Sequence, residues 1–170
     1  EGKTVLPAFC DSHTHIVYYG NRENEWVDRL NGKTYEEIAN SGGGIINSAL
    51  KLRKASEDEL FGQALQRANE IMKQGTGAVE IKSGYGLSLE SELKMLRVIQ
   101  RLKEETPLTI KSTLLAAHAI PPEFKGNKEG YVKHIIDEII PAVVEEKLAD
   151  FIDIFCEKGY FDNDDTKRIL

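Results

Sequence analysis

The chain alternates short apolar runs with longer amphipathic stretches. Residues 4–9 form an apolar run read as a buried strand, feeding a polar segment at 11–15. Residues 34–40 predict a short helix opened by Thr34, with Glu37 three positions on as the second half of a capping box. Helices follow over 45–54 and 56–74, the second opened by Ser56 with Glu59. Glycines at 75 and 77 end it, 78–82 reads as a strand, and 83–87 as a glycine-rich loop. In 88–105 the spacing of Leu89, Leu93, Leu96 and Ile99 puts an apolar stripe on one helix face, and Pro107 stops it. A strand over 108–117, a proline-containing loop over 118–127, a helix over 131–146, a strand over 150–155 and a helix beginning at Asp162 complete the pattern.

The order is strand, helices, strand, helix, strand, helix, strand, helix, with every connection long enough for a parallel crossover. This predicts an α/β protein with one compact unit. Two architectures accommodate it: a small doubly wound sheet, or about the first four β/α units of a TIM-type (β/α)8 barrel. Both place function in loops beyond the carboxyl ends of the strands. Residues 11–19, 82–87, 117–125 and 156–160 are therefore expected on one rim.

Composition narrows the function classes. The 170 residues carry 28 acidic against 22 basic side chains, a net charge of −6, so no general basic face exists for nucleic acid. An acidic small substrate needs only one local cation and stays open. No apolar run approaches a membrane span, and the first residues lack the pattern of a secretory signal. The two cysteines, Cys10 and Cys156, match neither a disulfide framework nor a C-x-x-C motif, and a reducing cytoplasm is expected. The chain opens without methionine and closes on Arg168-Ile169-Leu170 in a helical pattern, so a segment of a longer protein is expected. Phosphate-loop and serine-elbow motifs are missing from the sequence.

Candidate chemistry gathers at the strand ends. In Asp11-Ser12-His13-Thr14-His15, residues two apart on an extended backbone point the same way, so His13 and His15 can face one cavity. Two convergent imidazoles suit a borderline divalent ion such as zinc or iron, with further ligands from other strands. The same spacing also describes two hydrogen-bonded surface histidines. Arg22 can clamp a carboxylate through its planar fork, or pair with Glu23 or Glu25. Tyr85, between Gly84 and Gly86, is either presented to a cavity by a sharp turn or is a plain turn residue. His118, where a strand yields to a loop, can hydrogen-bond a bound ring or be satisfied within the core. His134, among charged neighbours, reads as solvated. Cys156 and Glu157 either line the same mouth or pack beside it. Gly42, Gly43 and Gly44 read as a mobile loop or an anion nest.

The run Leu6-Pro7-Ala8-Phe9-Cys10-Asp11-Ser12-His13-Thr14-His15 resembles the start of the barrel in the metal-dependent amidohydrolase superfamily, with Ala8 where a glycine is usual. Further blocks resemble one family within it, the imidazolonepropionases. They include Gly20-Asn21-Arg22-Glu23-Asn24-Glu25, Glu80-Ile81-Lys82-Ser83-Gly84-Tyr85-Gly86-Leu87, Ala117-His118-Ala119-Ile120-Pro121-Pro122-Glu123 and Asp153-Ile154-Phe155-Cys156-Glu157.

The resemblance implies a hydrolase that opens the cyclic amide of 4-imidazolone-5-propanoate to N-formimidoyl-L-glutamate in histidine degradation. It implies His13 and His15 as ligands of one divalent ion, zinc or iron, and Arg22, Tyr85 and His118 as substrate contacts. Rival substrates within the superfamily are nucleobases and dihydroorotate-like rings; a non-catalytic α/β domain is the rival outside it. Members also carry a further histidine and an aspartate on the metal, a glutamate and a histidine acting as proton carriers, and a β-rich flanking domain. All of these are expected outside residues 1–170, together with the other half of the barrel. The 170 residues alone are expected to be inactive, to bind metal weakly, and to associate through open sheet edges, giving a homo-oligomer.

Overall fold

Four strands, β1 (Phe9–Thr14), β2 (Thr76–Lys82), β3 (Thr109–Ala117) and β4 (Phe151–Ile154), pair in parallel in the order β1-β2-β3-β4. The computed structural model describes residues 2–21, 23–34, 37 and 44–170. Spatial order follows chain order without reversal. A doubly wound sheet turns back on itself at a switch point, so this singly wound sheet has the sense of a barrel wall instead.

The helices are α1 (Glu23–Leu30), α2 (Gly44–Lys54), α3 (Glu57–Lys73), α4 (Leu89–Glu105), α5 (Lys128–His134), α6 (Ile140–Glu145) and α7 (Asn163–Ile169). Local chemistry sets their ends. Ser56 accepts from the Glu59 backbone N–H while the Glu59 carboxylate accepts from Ser56, and Asp162 with Asp165 repeats the device at α7. Thr34 and Glu37 exchange the same pair of bonds, and the rest of the expected 34–40 helix lies outside the described residues.

One face of the sheet carries the core. Val79, Ile81, Ile110, Leu114 and Ala116 are buried with Leu60, Ala64 and Ala68 of α3 and Leu93, Leu96 and Ile99 of α4. Alanines four apart on α3 remove the side-chain bulk that would hold two helices apart. The opposite face presents Ala78, Glu80, Lys82, Thr109, Lys111, Thr113 and Asp153, which line an open cavity of about 660 Å3. Alternation along each strand thus separates an apolar rear from a charged front.

Two expectations are corrected and one element is new. The first strand is the polar stretch Phe9–Thr14, not 4–9, and Val5 and Leu6 are exposed. β1 has one neighbour among the described strands, and Pro7 has no N–H to give to a ladder. The 131–146 helix is interrupted by a π-turn at Ile135–Ile139, just before Pro141, which cannot donate the bond a continuous α-helix would require. Helix α1 was not anticipated; its acidic first turn, Glu23 and Glu25, and closing Arg29 carry the signal.

Asp150 locks β4 onto β3. Its carboxylate accepts from Ser112 N at 2.9 Å, Lys103 Nζ at 2.9 Å and Lys111 Nζ at 2.9 Å. Burial pushes this carboxyl up, but the Ser112 N–H and the two ammonium groups outweigh it and hold it well below the usual range. A carboxyl depressed in the folded state stabilises above its unfolded value, and that contribution is lost as pH falls. Asp150→Asn is expected to lower stability by about 1–2 kcal/mol at pH 7 in urea unfolding. The deficit should shrink as pH drops below about 4.

Candidate active site

Parallel winding brings the carboxyl ends of all four strands to one rim. The extended end of β1 carries His13 and continues into His15, and their ring centroids lie 5.3 Å apart. Thr14, pointing the other way, anchors the strand by donating to the Glu80 carbonyl at 2.6 Å. His15 stacks on His118 at 5.2 Å with planes 16° apart, and Tyr85 stands 5.3 Å from His15 and 5.5 Å from His118. Phe155, beyond β4, meets His118 edge-on at 5.8 Å. Four of the five expected site residues therefore converge; Arg22 lies outside the described residues.

Two of the imidazoles, His15 and His118, are held toward the neutral form. Burial, then the neighbouring His118 and His13 and the Lys82 ammonium, lower His15 to about 4, and burial also lowers His118. His118 Nδ1 lies 3.0 Å from the Gly84 carbonyl, which can only accept, so Nδ1 carries the proton and Nε2 keeps its lone pair. His15 Nδ1 is buried with no hydrogen-bond partner. A histidine pair 5.3 Å apart with an unpartnered buried nitrogen fits a divalent ion. It supplies two ligands only: among the described residues no group of three or more His, Cys, Asp or Glu side chains could hold a metal.

Side chains from the helices hold the loops. Glu92, fully buried in the first turn of α4, accepts from Gly84 N at 3.0 Å, Gly86 N at 2.9 Å and Leu87 N at 2.7 Å. Burial pushes its carboxyl up against the pull of Ser83 and these N–H groups. From the other side Arg53 of α2 donates to the Gly86 and Leu87 carbonyls at 3.0 and 2.9 Å and pairs with Glu123 in the loop after β3. Gly84 sits at φ +100°, and a Cβ there would lie 2.9 Å from His118 Nδ1, so only glycine lets the two loops meet. Arg67 of α3 does the same for the loop after β1, donating to the Ile16 and Tyr18 carbonyls at 3.0 and 2.9 Å.

Below the rings, Lys82 pairs with Glu80 at 2.8 Å and Asp153 at 2.9 Å, with 7% of its side chain exposed. This floor was not anticipated. Its signal is Glu80 and Lys82 two apart in an otherwise apolar strand, which puts both charges on the cavity face. Cys156 and Glu157 stay outside the ring cluster, lining a separate cavity with Lys128 and Asp162. His134, expected to be solvated, stacks on Phe124 at 5.5 Å and pairs with Glu138 at 3.0 Å. Gly42 and Gly43 lie outside the described residues, while Gly44 N donates to Glu25.

No family model matches the chain. It is 60% identical over 169 residues to the imidazolonepropionase of Flavobacterium johnsoniae and 60% identical over 169 residues to that of Christiangramia forsetii, in each case 99% of this chain and 41% of the relative. The imidazolonepropionase of Shewanella sediminis is 52% identical over 170 residues, 42% of its length. The chain spans about two fifths of the curated relatives it matches.

Two outcomes follow from this geometry. Glu92→Gln turns two acceptor oxygens into one and aims an amide N–H at a backbone N–H, so a loss of about 2–3 kcal/mol is expected in chemical unfolding. In metal-free protein, the His15 ring should remain neutral until pH falls to about 4, observable in its NMR ring shifts.

Proposed function

We propose that this chain, as a member of the imidazolonepropionase family, supplies the first four β/α units of a (β/α)8 amidohydrolase barrel that opens 4-imidazolone-5-propanoate to N-formimidoyl-L-glutamate. The observation that carries this reading is the meeting of His13, His15, Tyr85 and His118 at one end of a singly wound parallel sheet. In this reading the remaining strands and a β-rich domain belong to other parts of the complete protein. The outer strands support this: Phe9 of β1 and Phe151 of β4 are exposed, as surfaces are that pack against further chain or another copy.

His13 and His15 are the proposed ligands of one divalent ion, zinc or iron. Such an ion supplies Lewis acidity toward the ring carbonyl and lowers the pKa of water toward neutrality. The reaction adds water to that carbonyl carbon, breaks its bond to the ring nitrogen, and moves a proton to the released nitrogen. A new carboxylate results. The residues of this chain bind and orient. His118, with Nδ1 committed to Gly84, keeps Nε2 as an acceptor for a ring N–H, and Tyr85 closes the space beside His15. Arg22 is the proposed partner of the propionate, its fork matching a carboxylate through two parallel bonds. Holding the ring against the water in this way removes orientational freedom before reaction, which accounts for several kcal/mol of barrier in well-oriented systems (about 7 or more at best).

The test is elemental analysis and turnover of the complete protein, alone and as His13→Ala/His15→Ala. Near-stoichiometric zinc or iron and imidazolone propionate hydrolysis are expected in the first, and both are expected to vanish in the second. Metal retained in the double variant would remove the histidines from the site. Arg22→Met should raise KM for the propionate substrate at least tenfold, as loss of a charged hydrogen-bonding partner implies.

A further inference from the structure

A smaller cavity of about 220 Å3 opens beside the ring cluster, lined by His15, Tyr18, Tyr19, Asn21, Ser48 and Tyr85. At roughly 30 Å3 per water it holds about seven, or a five-membered ring with a short side chain packed more tightly. Resting on the function proposed above, we propose that Asn21 and Ser48 are specificity-determining contacts that add hydrogen bonds to the substrate carboxylate beside the proposed Arg22 fork while the ring lies toward His15.

Most of the polar lining already has a structural task. The Tyr18 ring lies under the Arg67 guanidinium at 3.4 Å, and the Tyr19 phenol helps hold the Glu59 carboxyl below its usual range. His15 is committed to the metal pair. Asn21 and Ser48 remain: among the described residues neither side chain has a hydrogen-bond partner, and both line the cavity. Both are donors, and a carboxylate offers two acceptor oxygens.

The walls that carry them are fixed. Gly20, next to Asn21, donates to Gln63 at 2.9 Å in the loop gripped by Arg67. Ser48 lies on α2, seated by the fully buried Leu52 and by the bonds from Arg53 to the loop of Tyr85. Donors on rigid walls meet a ligand without ordering cost. Because His15 and Tyr85 occupy the same cavity, a carboxylate held by Asn21 and Ser48 sets how far the ring reaches, and an unfilled donor penalises a substrate lacking that group.

Steady-state kinetics of the complete protein test this, using imidazolone propionate and its carboxamide analogue. Ser48→Ala and Asn21→Ala are each expected to raise KM for the propionate about tenfold with kcat changed less than threefold. Ser48→Thr, which keeps a hydroxyl, should show a smaller rise than Ser48→Ala. Asn21→Asp should raise KM for the propionate more than Asn21→Ala does, and much less for the uncharged analogue. That charge dependence separates a carboxylate contact from a structural role, and the exposed Asn21 position carries the test if Ser48→Ala fails to fold. An active wild type whose variants stay within twofold in KM for both compounds overturns the assignment of Asn21 and Ser48 alone. A wild type that binds metal but does not hydrolyse imidazolone propionate overturns the family-based function, and this inference with it.

Discussion

The rim of this sheet exists because buried side chains answer the backbone polar groups of its loops. A loop that turns sharply cannot satisfy its own N–H and C=O groups, and leaving them unpaired away from water would cost more than the turn could bear. Glu92 takes three N–H groups of the Tyr85 loop on one carboxylate, and Arg53 takes two of its carbonyls on one guanidinium. Lys94 in turn donates to the carbonyls of Arg53 and Ala55, so the helix that reaches the loop is itself held. Arg67 repeats the arrangement for the loop after β1. The positions of Tyr85 and His118 follow from these anchors as much as from the strands.

The electrostatics of the rim run against the composition of the whole. A chain of net charge −6 builds a local site from imidazoles beside a lysine, with the Glu80 and Asp153 carboxylates paired to that lysine. Lys82 contributes to keeping His15 unprotonated, which is the state in which imidazole offers a lone pair. Net charge described the solvated surface and not the cavity, because fields at the site are set by groups within a few ångströms.

The two faces of the sheet divide the labour. The rear is packed by α3 and α4 through aliphatic side chains and alanines, which leaves the strands little freedom to slide. The front is charged and open, and β1 runs at its edge with the apolar residues 5 and 6 exposed. Rigidity behind and open space in front are what a site needs when its residues are drawn from several strands.

Much of this was legible in the chain. Two-residue and 3.6-residue periodicities located β2, β3, β4, α3 and α4, and Ser56, Glu59 and Asp162 marked helix starts, because these features depend on neighbours in sequence. The approach of His13 to His15 followed from alternation on an extended backbone. The first strand was misplaced because the burial that the apolar run 4–9 predicts depends on what packs against it. The winding sense of the sheet, the stacking of His118 on His15, the Lys82 floor and the reach of Glu92 and Arg53 to one loop were decided only by the tertiary structure. Each joins residues separated by anything from two to over a hundred positions, and only strand order and packing determine which of them come within 3 to 6 Å.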